Sequence, residues 1–160
     1  MSRDTGIDAA LASGWFGAGL PDATRARLAA LAELTSVATG AVVLHEGAEV
    51  DSFGVVVDGR LAIRLAVPGR TAMTVLTVEP GDCIGWSALV PPHRATSTVI
   101  ATEPTTVVTF DGPALRTAID ADPVLAAAVL WRVLEAVSRR LTATRTQLLD
   151  LFARADQEPW

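Results

Sequence analysis

The stretch GWSALVPPHRAT, Gly85 to Thr96, decides how this chain is read. It sets one arginine, Arg94, behind Pro91-Pro92 in an apolar, turn-rich segment, and follows it with the small residues Ala95, Thr96 and Ser97. A guanidinium presents a planar fork of donors that matches a phosphate, and the N–H groups of a tight loop add dipoles aimed at the same charge. Gly85 permits an unusual backbone geometry, the prolines stiffen the approach, and Ala95 is small enough to let a ligand reach the backbone. These features favour an anion site over a plain surface arginine. Trp86 has two readings: it caps the core, or it stacks on a planar ligand. His93 reads as an exposed turn residue and Cys83 as a small core residue of its strand.

Outward from this segment, residues 40–110 consist of short Val, Ile, Leu and Thr runs. Turn signals at Glu46-Gly47, Asp58-Gly59, Pro68-Gly69 and Pro80-Gly81-Asp82 separate them. Spacing of about ten residues indicates an antiparallel sandwich or barrel. The expected strands are 41–45, 53–57, 60–67, 72–78, 82–85, 97–101 and 105–110. Residues 7–34 read as helical, with Pro21 at a start and Leu28, Leu31 and Leu34 near one face. A short helix is expected over 113–119. A long one follows from Pro123, where the missing N–H costs nothing, to about Ala153. On it Ala127, Leu130, Leu134, Val137, Leu141, Thr144, Leu148 and Leu151 follow a heptad spacing, a candidate dimerisation seam. Its first two turns are expected to pack on the chain's own sandwich, and the part beyond Leu141 on a partner helix.

Composition narrows the function. The net charge is −5, all 13 basic residues are arginine, and the Arg139, Arg140 and Arg145 cluster reads as a solvated helix face. This argues against direct nucleic-acid binding, which needs a clustered basic surface. The two histidines, His45 and His93, lack a metal-ligand spacing, and neither Ser87 nor Cys83 has a neighbouring base or nucleophile elbow, so no enzyme reading finds support. Asp120 and Asp122 sit at a helix boundary, where capping explains them. One cysteine excludes an internal disulfide. No apolar run is long enough to span a membrane and acids stand where a signal peptide is apolar, so a cytoplasmic protein without membrane contact is expected.

Taken together, the Glu46-Gly47, Val57-to-Arg60 (VDGR) and Pro80-to-Asp82 turns, Gly85, Ala88-Leu89 and Arg94-Ala95-Thr96 resemble the cyclic-nucleotide-binding domain family of the catabolite-activator and protein-kinase-regulatory type. The resemblance implies a mainly β fold with flanking helices. It is a double-stranded jelly roll with N-terminal helices, a short B helix and a long C-terminal helix. One domain is expected over 1–160, with N-terminal helices over 1–39, the roll over 40–111 and the B and C helices over 112–154. It further implies that residues 85–96 are a phosphate-binding cassette containing Gly85, Trp86, Ser87, Ala88 and Leu89. In it Arg94, Ala95 and Thr96 hold the cyclic phosphate, while Thr144 and Arg145 of the C helix lie near the base. Where the family places a glutamate for the ribose 2′-hydroxyl, this chain has Trp86, whose indole donates but cannot accept. No helix-turn-helix follows the C helix.

The implied function is a stand-alone regulatory module without a cofactor. It would bind a cyclic nucleotide, cAMP or cGMP, or a related anion, dimerise through the C helix and signal to a protein partner. Two alternatives stand beside it: a ligand-free assembly domain with Trp86 as core, or a transcription regulator cut short.

Overall fold

A computed structural model describes residues 3–155. Its centre is a pair of four-stranded antiparallel sheets. The strands are β1 (Ala32–Val37), β2 (Val42–Leu44), β3 (Ser52–Asp58), β4 (Leu61–Leu65), β5 (Met73–Val78), β6 (Cys83–Ile84), β7 (Thr98–Ala101) and β8 (Thr105–Asp111). One sheet has the order β1-β8-β3-β6 and the other β2-β7-β4-β5, the jelly-roll arrangement expected from the sequence. Before the roll come α1 (Arg3–Ser13), α2 (Trp15–Ala18) and α3 (Asp22–Ala29); after it come α4 (Gly112–Ala121) and the 33-residue α5 (Pro123–Ala155).

The strands form where β-branched residues cluster and alternate. In β8, Thr105, Val107, Val108 and Phe110 are buried while Thr106 and Thr109 are half-exposed. Val56, Leu61, Ile63, Val78, Ile84, Val99, Ala101 and Val107 fill the space between the sheets. A second cluster joins the helices to the roll. In it Phe16 of α2, Phe53 of β3 and Phe110 of β8 form a chain with ring centroids 5.5 and 5.9 Å apart.

One expectation is corrected. The helical reading of residues 7–34, and with it the start of the roll at residue 40, gives way to a strand at 32–37, paired over six residues with β8 from Ala32↔Phe110 to Val37↔Thr105. The pairing outweighs the local helical spacing of Leu28, Leu31 and Leu34, because an edge strand is stabilised by its neighbour rather than by its own pattern.

Capping fixes where the last two helices begin. The Asp111 carboxylate accepts from Ala114 N at 2.8 Å, and that of Asp122 from Val124 N and Leu125 N at 2.9 and 3.3 Å, with Pro123 at the start of α5. Along α5 the side chains that face the body are Leu125, Val129, Val133 and Ala136. This corrects the expectation that the heptad stripe packs on the roll in its first turns. Ala127 is exposed, and Leu130, Leu134, Leu141 and Leu148 stay 41%, 60%, 52% and 53% exposed. The Leu151 side chain lies outside the described residues.

The first half of α5 is also held by arginines. Arg132 donates to the backbone oxygens of Trp15 and Phe16, and the guanidinium carbons of Arg132 and Arg139 lie 4.3 and 4.6 Å from the Trp15 ring centroid.

Cys83 is fully buried, and burial pushes its thiol up to about 11 despite the nearby Arg140 cation. Below pH 9 the thiol is protonated in both folded and unfolded chains. Between about 9 and about 11 only the unfolded chain loses the proton, so this group lowers stability by about 1.4 kcal/mol per pH unit there. Thiol reagents at pH 8 are expected to label Cys83 only at the rate of unfolding; labelling as fast as a free thiol would contradict the burial.

Candidate functional site

The cassette begins at Gly85, whose φ of +70° is left-handed, and continues as a 3₁₀ turn, Trp86–Ala88. A Cβ on Gly85 would stand 2.4 Å from the Ser52 carbonyl oxygen. Gly85→Ala therefore adds both backbone strain and a clash with β3, and is expected to lower stability by about 1–3 kcal/mol in a denaturant titration. An unchanged midpoint would mean that the turn relaxes freely. The far side of the turn is held by α4, where Arg116 donates to the Ala88 oxygen at 2.5 Å.

The end of the cassette is tied to the loop at residues 47–50. Gly47 N donates to Ala95 O, Ala95 N to Ala48 O, and Val50 N to His93 O, at 2.8 to 2.9 Å. Arg94 joins the same set: it is exposed, and its Nη1 donates to the Gly47 oxygen at 2.8 Å. His93 is half-buried with a φ of +59° and its Nδ1 3.0 Å from the Ser87 oxygen, so it braces the loop from within instead of standing in water.

Between the roll and α5 lies a cavity of about 370 Å³. Ile63, Leu65, Val75 and Leu76 form its sheet wall, Trp86, Thr96 and Ser97 its cassette wall, and Val137, Arg140, Leu141 and Thr144 its helix wall. It continues inward as a cleft of about 20 Å³ bordered by Gly85, Trp86, Ser87, Ala95, Thr96 and Ser97, with Arg140 at the junction of the two. The structure thus gathers Gly85, Trp86, Ser87, Ala95, Thr96 and Thr144 around one space. Arg94, Ala88, Leu89 and Arg145 do not line it. Thr144 directs its hydroxyl back to the Arg140 carbonyl at 2.9 Å.

Arg140 is the residue that sequence reasoning missed. Read as part of a solvated face, it is half-buried, donates to the Cys83 carbonyl and reaches the cavity, whereas its neighbour Arg139 turns to Asp82 at 3.7 Å and Arg145 is exposed. The signal available was its position one turn before Thr144, on the side of α5 already assigned to the ligand.

Comparison with known proteins agrees with this architecture. Residues 34–122 match the cyclic nucleotide-binding domain family. A candidate cyclic nucleotide-binding protein from Geobacter metallireducens GS-15 is 28% identical, with 88% of this chain and 99% of the other covered at a TM-score of 0.73. A cyclic nucleotide-binding domain from Methylobacillus flagellatus KT shares 18% identity over 92% of this chain and 83% of its own, at a TM-score of 0.78. The regulatory domain of Toxoplasma gondii PKA, solved with cAMP, shares 21% identity over 86% of this chain and 50% of its own, at a TM-score of 0.72. No curated protein matches the sequence. No helix among the described residues is long and apolar enough to cross a membrane.

Proposed function

Because the chain belongs to the cyclic nucleotide-binding domain family, we propose that it is a regulatory module in which a small anionic ligand, a cyclic nucleotide or a related compound, biases the position of α5, and that the module forms a homodimer along this helix and signals to a further protein. The observation that carries the reading is the composition of the cavity: one wall belongs to the sheet and cassette, the other to Val137, Arg140, Leu141 and Thr144 of α5. An occupant touches both and favours the arrangement that contacts it best, which is the thermodynamic requirement for a ligand to shift a conformational equilibrium. The exposed Leu130, Leu134 and Leu148 of α5 do not line the cavity, and a second copy or a partner reads the shift there.

Hydrogen exchange over residues 137–144 tests this, with cAMP, cGMP and a panel of small organic anions compared on the wild type and on Ser97→Trp, whose indole fills the cavity. At least one anion is expected to slow exchange in the wild type and to leave the variant unchanged. Protection from none of them would leave the ligand-free assembly domain as the better description.

A further inference from the structure

Resting on the reading that the cavity takes an anion, we propose that its occupant is a flat, largely apolar organic acid whose carboxylate is held by Arg140, and not a cyclic nucleotide held by Arg94. Four observations converge on this chemistry. First, Arg94, the arginine assigned to a cyclic phosphate, does not line the cavity and faces the neighbouring loop. Arg94 Nη1 bonds the Gly47 oxygen at 2.8 Å and Ala95 N the Ala48 oxygen at 2.9 Å, both on the loop across from the cassette.

Second, the cleft between Gly85 and Ser97 measures about 20 Å³, room for about one water and too little for a phosphate. Third, the residue facing a ribose would be Trp86, which offers ring surface and one N–H but no acceptor, so a sugar hydroxyl buried there goes unpaired.

Fourth, the open part of the cavity has apolar walls of Ile63, Leu65, Val75, Leu76, Val137 and Leu141, and its one cation is Arg140. Arg140 stands where cleft and cavity meet, makes no ion pair with a carboxylate among the described residues, and keeps donors beyond the one on the Cys83 carbonyl. A guanidinium in apolar surroundings binds a carboxylate strongly, because little water competes for either partner. A ring against Trp86 and Leu141 with its acid group on Arg140 matches the apolar walls and the cation of the cavity, with Thr96 and Ser97 within the same lining to donate to the acid group. A nucleotide would set its sugar against the Trp86 ring and the apolar walls.

Calorimetric titration with 2-naphthoate, its neutral isostere 2-naphthamide and cAMP separates the possibilities. On the wild type 2-naphthoate is expected to bind at least tenfold more tightly than 2-naphthamide, and cAMP to give no heat. Arg140→Gln is expected to weaken 2-naphthoate roughly tenfold or more while leaving 2-naphthamide unchanged. Arg140→Lys, which restores the charge, recovers part of the loss, and Arg94→Ala changes nothing. Circular dichroism melting checks that Arg140→Gln remains folded; were it unfolded, the Arg140→Lys and amide comparisons on folded protein still decide.

Binding of 2-naphthoate that ignores the charge at position 140 would overturn the proposal. So would cAMP binding that Arg94→Ala abolishes, although that result would leave the proposed regulatory function standing. Failure of every anion to bind would remove both.

Discussion

Replacing Leu134 and Leu148 together by aspartate is expected to convert the proposed dimer into monomers that melt at the temperature of the wild-type fold. The two positions lie fourteen residues apart on α5 and, with Leu130 and Leu141, form a stripe that is 41–60% exposed in the single chain, of which only Leu141 also lines the cavity. Because these two side chains are more than half in water within one protomer, changing them removes little intramolecular contact. Their burial against a second helix is another matter. Eight leucines, each already about half covered, gain about 1 kcal/mol each, a sum within the roughly 4–15 kcal/mol lost in rotational and translational freedom when two chains join, so any surplus is small. Two aspartates in each seam would place unpaired and mutually repelling charges in a dry interface, a loss larger than the whole surplus. Sedimentation velocity reads the result directly. A double variant that sediments like the wild type would show that the stripe is not the interface.

Phe53→Ala is expected to lower stability by about 3–5 kcal/mol and the melting temperature by about 10 °C or more. Phe53 is the middle ring of the chain that runs from Phe16 to Phe110, and all three are 1% exposed. Removing it leaves a void that neither neighbour can fill, since Phe16 is fixed by α2 and Phe110 by the β1–β8–β3 pairing. Against a total stability of about 5–15 kcal/mol, that loss is a large fraction. It also disconnects the N-terminal helices from the roll, so amide exchange in α2 should rise more than in β4, which belongs to the other sheet. Uniform acceleration in both would mean that the aromatic chain carries no special link.

The roll was legible in the sequence because its turns have chemical signatures. Asp58-Gly59 is the plainest: Gly59 has a φ of +85°, and a Cβ there would lie 2.3 Å from the Pro104 oxygen, so only glycine fits this turn from β3 in one sheet to β4 in the other. Strand β1 was not legible, since Ala32-Glu33-Leu34-Thr35 continues the helical composition before it and becomes a strand through its pairing with β8. The site was half visible. Small residues around Gly85 and Ala95 do line the cleft, as their types suggested. Whether Arg94 points into that cleft or to the Gly47 carbonyl depends on the loop at 47–50, far away in sequence. The role of Arg140 depends on the rotation of α5 about its own axis. Two apolar stripes run along that helix, and only the packed body selects Leu125, Val129, Val133 and Ala136 as the inner one.

The placement of Trp15 between Arg132 and Arg139 has a mechanical meaning. These contacts fasten α5 near its middle to the N-terminal helices, while the cavity lies against the stretch just beyond. The seventeen residues from Arg139 to Ala155 then form an arm of about 24 Å with Trp15 as its fulcrum. A tilt of about 10° at that pivot swings the tip through about 4 Å, so the clamp sets the gain with which a small change beside the cavity is magnified at the far end of the helix.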